Sequence, residues 1–269
     1  MDTLSLFNVP VHDLSAPALR GLFRSWLREN GQRTVVTPNP EFLLQARRDA
    51  AFRGLLGRAD LSLPDGVGLR YASAALAERP LAHRHTGVDT LDLLAALCAE
   101  DGKSLLLFGG EGGRAEQAAE ALRTRHPGLD VAAYDPGPLA WTPAGLDVPP
   151  ETVEAIQRRA PAVLAVALGQ GKQERFIFDH LPALPSVRIA IGVGGALDML
   201  SGALPRAPEA WRRAGLEWLW RLRLEPRRIG RIARAVVVFP AAAAGEAFRR
   251  RRFLKACRAV ARLLFSPQA

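Results

Sequence analysis

Ser104 to Gly113 reads SLLLFGGEGG, a short and continuously apolar run that stops in a cluster of glycines. The same arrangement recurs along the first 200 residues. Arg33 to Thr37, RTVVT, runs into Pro38-Asn39, and Asp60 to Leu63 runs into Pro64-Asp65-Gly66. Ala162 to Leu168 is followed by Gly169 through Glu174, GQGKQE, and Val187 to Ile191 by Gly192-Val193-Gly194-Gly195. Val131 to Tyr134 is a further strand candidate. Helix-like stretches lie between them: Ser15 to Glu29 with a serine at its start and Asn30-Gly31 at its end, then Arg114 to Arg125 and Thr152 to Arg159. Strands apolar throughout are buried on both faces, which a parallel sheet between two helix layers provides.

The predicted fold class is therefore α/β: a mostly parallel, Rossmann-like sheet with helices on both faces, residues 1–205, followed by a basic helical C-terminal appendage, residues 206–269. The alternation that builds the core is complete before Arg206, so the body is expected to stay folded and soluble without the appendage. In such sheets ligands sit beyond the carboxyl ends of the strands. All five polar or glycine-rich tails are expected to meet at that edge.

Charge divides the chain at the same place. Net charge is +9. Residues 1–205 hold 20 Lys/Arg against 23 Asp/Glu, or −3, whereas residues 206–269 hold 16 against 4, or +12. A segment so cationic suits a polyanion: nucleic acid, an anionic membrane surface or a phosphate-bearing substrate. Its longest apolar run, Ala235 to Ala244, is about half of the roughly 20 residues a spanning helix needs. Residues 209–222 carry Trp211, Leu216, Trp218, Leu219, Trp220 and Leu222, and FRRRR at 248–252 precedes Phe253, Leu254 and Val260. So much apolar surface is expected to be buried against the body, in a homo-oligomer or in lipid, and a cationic amphipathic helix on a membrane is the natural reading. The N-terminus, MDTLSLFNVPVHD, lacks the basic and apolar regions of an export signal, which argues against export. Cys98 and Cys257 have no metal or disulfide spacing, and neither a metal site nor a cofactor is expected.

Neither GGEGG nor GVGGA satisfies GxGxxG, and GxxxxGK[ST] is absent, so dinucleotide and P-loop readings are disfavoured. Glycine after a strand still lets backbone N–H groups approach phosphate, as expected for Gly109 and Gly110 and for Gly194 and Gly195; tight turns would need the same glycines. Asp65, between Pro64 and Gly66, can act as general base toward a sugar hydroxyl or bond its own turn. Thr37 and Asn39 can hydrogen-bond a sugar or cap the helix starting near Pro40.

As a set, Thr37-Pro38-Asn39-Pro40-Glu41, Pro64-Asp65-Gly66, Arg84-His85-Thr86-Gly87-Val88-Asp89, Gly169-Gln170-Gly171-Lys172-Gln173-Glu174, Gly192 to Ala196 and Arg206-Ala207-Pro208 resemble, in order and spacing, the WecG/TagA/CpsF glycosyltransferases. Gly215 to Leu219, with Arg221-Leu222 and Glu225-Pro226, extends the likeness, which covers roughly residues 3 to 232. The resemblance implies an inverting, metal-independent transfer of a sugar (of N-acetylmannosamine type, its uronic acid, or glucose) from a UDP-sugar to an undecaprenyl-diphosphate-linked acceptor, in cell-surface polysaccharide or teichoic acid synthesis, by a cytoplasmic enzyme peripheral at the inner face of the plasma membrane. It implies Asp65 as base with Thr37 beside it, and Asn39, Arg84, Lys172, Gln173 and Glu174 as substrate-binding residues. Gly171 stands where the family usually has proline.

Without a metal, guanidinium groups must neutralise the departing nucleotide. Arg221, Arg228 and Arg231 are expected to do so from one helical face, provided the helix continues through Pro226. Two other readings fit the same sequence: a basic α/β nucleic-acid-binding module, against which stands the lack of any recognised nucleic-acid motif, and a nucleotide-sugar oxidoreductase.

Overall fold

A computed structural model describes residues 1–77, 79–143 and 145–265. The strands among the described residues are β1 (Asp2–Leu6), β2 (Val9–Asp13), β3 (Arg33–Val36), β4 (Leu61–Ser62), β5 (Ser104–Gly109), β6 (Asp130–Tyr134), β7 (Trp141–Thr142), β8 (Gly145–Leu146), β9 (Val163–Ala167) and β10 (Ile189–Gly192). Six form the central sheet, in the order β4-β3-β10-β9-β5-β6, and every neighbouring pair is parallel. The expected Rossmann-like α/β body is what the chain forms.

Side chains alternate across the sheet as the pleat requires. Leu105, Leu107, Val163, Ala165, Ile189 and Ile191 face one way, into a cluster closed by the helices Ala16–Arg28 and Gly87–Asp101. Leu106, Phe108, Leu164, Val166 and Ala190 face the other way, onto Phe176 and Ile177. Both closing helices begin where their sequences say. Ser15 accepts from the Ala18 amide at 3.4 Å with Pro17 in the first turn, and Thr86 accepts from the Asp89 amide.

The hairpin β1–β2 has no counterpart in the sequence reading. Phe7 and Asn8 both take positive φ, 52° and 64°, the geometry of a two-residue hairpin turn matching the strands' own twist. Asparagine tolerates that region, but phenylalanine gives no hint of it.

The C-terminal segment does not stand apart from the body. It includes the helices Phe239–Arg249 and Phe253–Phe265, which pack on the body helix Val67–Leu76. Phe239 is 1% exposed and meets Phe7 edge-on, with ring centroids 5.8 Å apart; Ala243, Ala247 and Ala256 join Leu69, Ala72 and Leu76 in the same cluster. The expectation that residues 1–205 keep their core unaided is revised accordingly, because part of that core is supplied from beyond Arg206. Truncation at Arg206 is expected to destabilise the body by at least about 3 kcal/mol, the cost of losing one buried phenylalanine. Urea unfolding of the truncated chain measures it, and an unchanged midpoint would show the body self-sufficient.

Candidate active site

Beyond the carboxyl ends of β3, β4, β9 and β10 lies a cavity of about 520 Å³. Its floor comes from the strand tails. Thr37 is buried and donates its hydroxyl to the Gly192 carbonyl at 2.9 Å, tying the end of β3 to the end of β10. Asn39 caps the helix Pro40–Arg48, its Oδ1 accepting from the amides of Glu41 at 2.9 Å and Phe42 at 3.1 Å. That carbonyl is committed, so only the amide nitrogen of Asn39 is left for a ligand. The Asp65 amide donates to the Pro38 carbonyl at 2.9 Å, and the Pro64 carbonyl accepts from the His85 amide at 3.0 Å. This fixes the Pro-Asp-Gly turn against the β3 tail and brings Arg84 to the cavity.

The roof comes from the C-terminal segment. Arg221 lies on a helix, Glu217–Leu224, Arg228 on a single 3-10 turn, Pro226–Arg228, and Arg231 on the short helix Ile229–Ala233. The one continuous helical face expected from their spacing does not form. Glu225, at φ −130° and ψ 76°, breaks the helix before Pro226, as residues preceding proline tend to. All three arginines nevertheless line the cavity, together with Glu217. Arg228 pairs with Glu225 at 2.9 Å, and Arg231 with Glu41 at 2.7 Å.

Asp65 and Arg221 both line this space and act on each other electrostatically. Burial pushes the Asp65 carboxyl up to about 6; Arg221 and Arg84 pull the other way, and Glu217 and Asp89 add to the rise. Burial likewise lowers Arg221 from its ordinary value, resisted chiefly by Asp65. Its Nη2 lies 3.1 Å from the Met199 sulfur, and its buried Nε has no hydrogen-bond partner among the described residues. Each group is thus short of solvent and held in its charged state mainly by the other.

The other expected ligand groups separate into two sets. Gln173 faces the cavity, but its Oε1 accepts from the Gly194 amide at 2.9 Å, so that amide is not free to meet phosphate. Its Nε2 donates to Glu174 Oε1 at 2.7 Å, and the other oxygen of Glu174 accepts from the Gly171 amide at 2.7 Å. Glu174 is 0% exposed, with burial pushing its carboxyl up to about 7. It braces the loop from within and does not reach the cavity. Gly194 and Gly195 do line it.

Gly109, Gly110 and Lys172 line a second recess of about 50 Å³ instead, with the Lys172 Nζ donating to the Leu139 carbonyl at 2.6 Å. The expected meeting of five tails at one place therefore becomes two neighbouring recesses, because β5 is separated from β10 by β9. A Cβ on Gly109 would sit 2.8 Å from the Ala167 carbonyl oxygen, so close approach of two strand ends requires glycine there. Gly171 takes φ +88°, which proline's ring forbids.

Glu41 and Glu217 fall within the motifs, yet their sequence context assigns them no role in the site. The one signal for Glu41 is its place two residues after a capping asparagine, which fixes it at a helix start.

The glycosyl transferase WecG/TagA/CpsF family matches this chain over residues 4–253. The chain is 32% identical over 199 residues to the N-acetylglucosaminyldiphosphoundecaprenol N-acetyl-beta-D-mannosaminyltransferase of Staphylococcus aureus strain MRSA252, covering 74% of each. The proteins of the same name from strains NCTC 8325 and COL match to the same extent. The fold and these similarities define the chain as an enzyme, a glycosyltransferase. It belongs to the WecG/TagA/CpsF family.

Proposed function

We propose that this enzyme moves a sugar of N-acetylmannosamine type from a UDP-sugar to an undecaprenyl-diphosphate-linked N-acetylglucosamine, with inversion and without a metal. The observation that carries this reading is that one cavity is lined both by Asp65 from the body and by Arg221 from the C-terminal segment, each the largest opposite charge acting on the other. The names of the relatives support the acceptor and the sugar.

In the proposed step an acceptor hydroxyl oxygen attacks the anomeric carbon as the bond to the nucleotide oxygen breaks. Asp65 takes the hydroxyl proton, and the electron pair leaves with UDP. Thr37, by holding Gly192, keeps the floor beneath Asp65 in register. Arg221, Arg228 and Arg231 meet the growing negative charge; the unpartnered Nε of Arg221 supports that role. Gly109 and Gly110, with Lys172 beside them, are proposed to receive the nucleotide end of the donor, and Arg84, Asn39 and the Gly194-Gly195 turn the sugars.

The acceptor's lipid would bring the enzyme to the cytoplasmic face of the plasma membrane. Phe248, Leu254 and Leu264 are 72%, 72% and 61% exposed beside Arg249 to Arg252, and no described helix is long and apolar enough to cross a bilayer. Such a surface suits anionic lipid.

Transfer from a UDP-N-acetylmannosamine donor to a short-chain lipid-diphosphate acceptor, in EDTA, tests the proposal. The kcat/KM is expected to rise with unit slope up to about pH 6 and to flatten above it. A base must be ionised to accept a proton, and the Asp65 carboxyl loses its own near 6. Strict dependence on added magnesium, or a limb near pH 4, would overturn the metal-free or the Asp65 part of the reading respectively.

A further inference from the structure

We infer that Glu41 is a positioning residue, which aims Arg231 into the cavity from outside the reacting groups. Glu41 lies at the start of the helix Pro40–Arg48, where its own amide is held by the Asn39 cap, so its backbone is fixed relative to the floor of the site. Its carboxylate is only 15% exposed and holds two guanidinium groups one helical turn apart. One oxygen accepts from Arg231, at 2.8 Å from Nε and 2.7 Å from Nη2, and the other from Arg234, at 3.3 Å from Nε and 3.2 Å from Nη2.

Two features make this an aiming device rather than a simple neutralisation. A single carboxylate against two guanidinium groups leaves the cluster net cationic, so the attraction for a departing diphosphate survives the pairing. The side chains of Arg231 and Arg234 also stay 49% and 58% exposed, so their outer faces remain open to a ligand. The contact through both Nε and Nη2 fixes the guanidinium plane, which a single-point contact cannot do. Arg231 lies in the first turn of a helical run that starts behind the break at Pro226 and continues through the π-helical turn Arg234–Val238 into the helix Phe239–Arg249, and this run packs on the helix carrying Glu41. That packing fixes the backbone of Arg231, and Glu41 fixes the direction of its long side chain.

The inference rests on the reading of Arg231 as a cation for the leaving group. Steady-state kinetics of Glu41→Gln, Arg231→Ala and the double variant, with a short-chain acceptor, test it while keeping the two apart. Glu41→Gln is expected to lower kcat about 10- to 100-fold, the scale of a misplaced catalytic group, with KM little changed. Glu41→Asp should recover part of that loss, and the unfolding midpoint of Glu41→Gln should stay near that of the parent. Because Glu41 acts through Arg231, Glu41→Gln should cost nothing further once Arg231 is alanine. Additive losses, or wild-type kcat in Glu41→Gln when Arg231→Ala is impaired, would overturn the positioning role alone. Wild-type turnover in Arg231→Ala would overturn the leaving-group reading and this inference with it.

Discussion

Asp65→Asn is expected to lower transfer by about 100- to 10,000-fold, the usual cost of removing a general base, while leaving the protein at least as stable as before. The amide preserves the size of the side chain, and the turn is held by backbone bonds, from the Asp65 amide to Pro38 and from His85 to Pro64, that the substitution does not touch. The stability side follows from the direction of the titration. The folded protein holds the Asp65 proton up to about pH 6, whereas the unfolded chain releases it near the ordinary value of 3.8. Stability present below about pH 4 is therefore lost as pH rises through 6, a loss on the order of 3 kcal/mol at neutral pH. Asparagine cannot ionise and escapes that loss, less whatever Arg221 gives up with its partner. Urea unfolding at pH 4 and pH 7 reads the difference, since the gap between variant and parent should open with pH. Full transfer by the asparagine variant would remove Asp65 from the chemistry.

Arg221→Ala is expected to be nearly as costly, about 100- to 1,000-fold in kcat, by analogy with the loss of one well-placed donor to developing charge. It carries a second signature. Arg221 is the largest influence holding the Asp65 carboxyl down against burial, so the acidic limb of kcat/KM should move above pH 6 in the variant. A cation that served only to attract lipid would change neither kcat with a soluble acceptor nor the position of that limb. Such a surface contact is worth about 1 kcal/mol at an anionic membrane, and vesicle binding should weaken by no more than that. If the limb stays at 6 and turnover is normal, the C-terminal arginines are an anchor and nothing more.

The strands were legible because each is a short apolar run stopped by glycine or proline, and all six of the central sheet lie within a residue or two of where those stops put them. The hairpin was not, since its turn rests on Phe7 in a conformation for which phenylalanine has no preference. For the site, the sequence named residues that line the cavity, Thr37, Asn39, Asp65 and Arg84 among them, but not what their atoms are already doing. The Thr37 hydroxyl, the Asn39 carbonyl, the Gly194 amide and both oxygens of Glu174 are all engaged within the protein, and only three-dimensional neighbours reveal that. Spacing likewise suggested one helix for Arg221, Arg228 and Arg231. All three still line one cavity, because the helical run beyond Pro226 packs on the body through Phe239 while Glu41 holds the Arg231 side chain.

The edge-on contact between Phe7 and Phe239 has a consequence for how the enzyme comes into being on the ribosome. The hairpin emerges more than 200 residues before its partner ring. Until then Phe7 and the neighbouring face of the helix Val67–Leu76 lack their cover, and the cavity lacks its roof. A nascent chain thus carries an uncovered apolar face until that segment is made. On the roles proposed above for the C-terminal arginines, activity would arrive with the same segment whose exposed apolar and cationic residues are proposed to meet the bilayer.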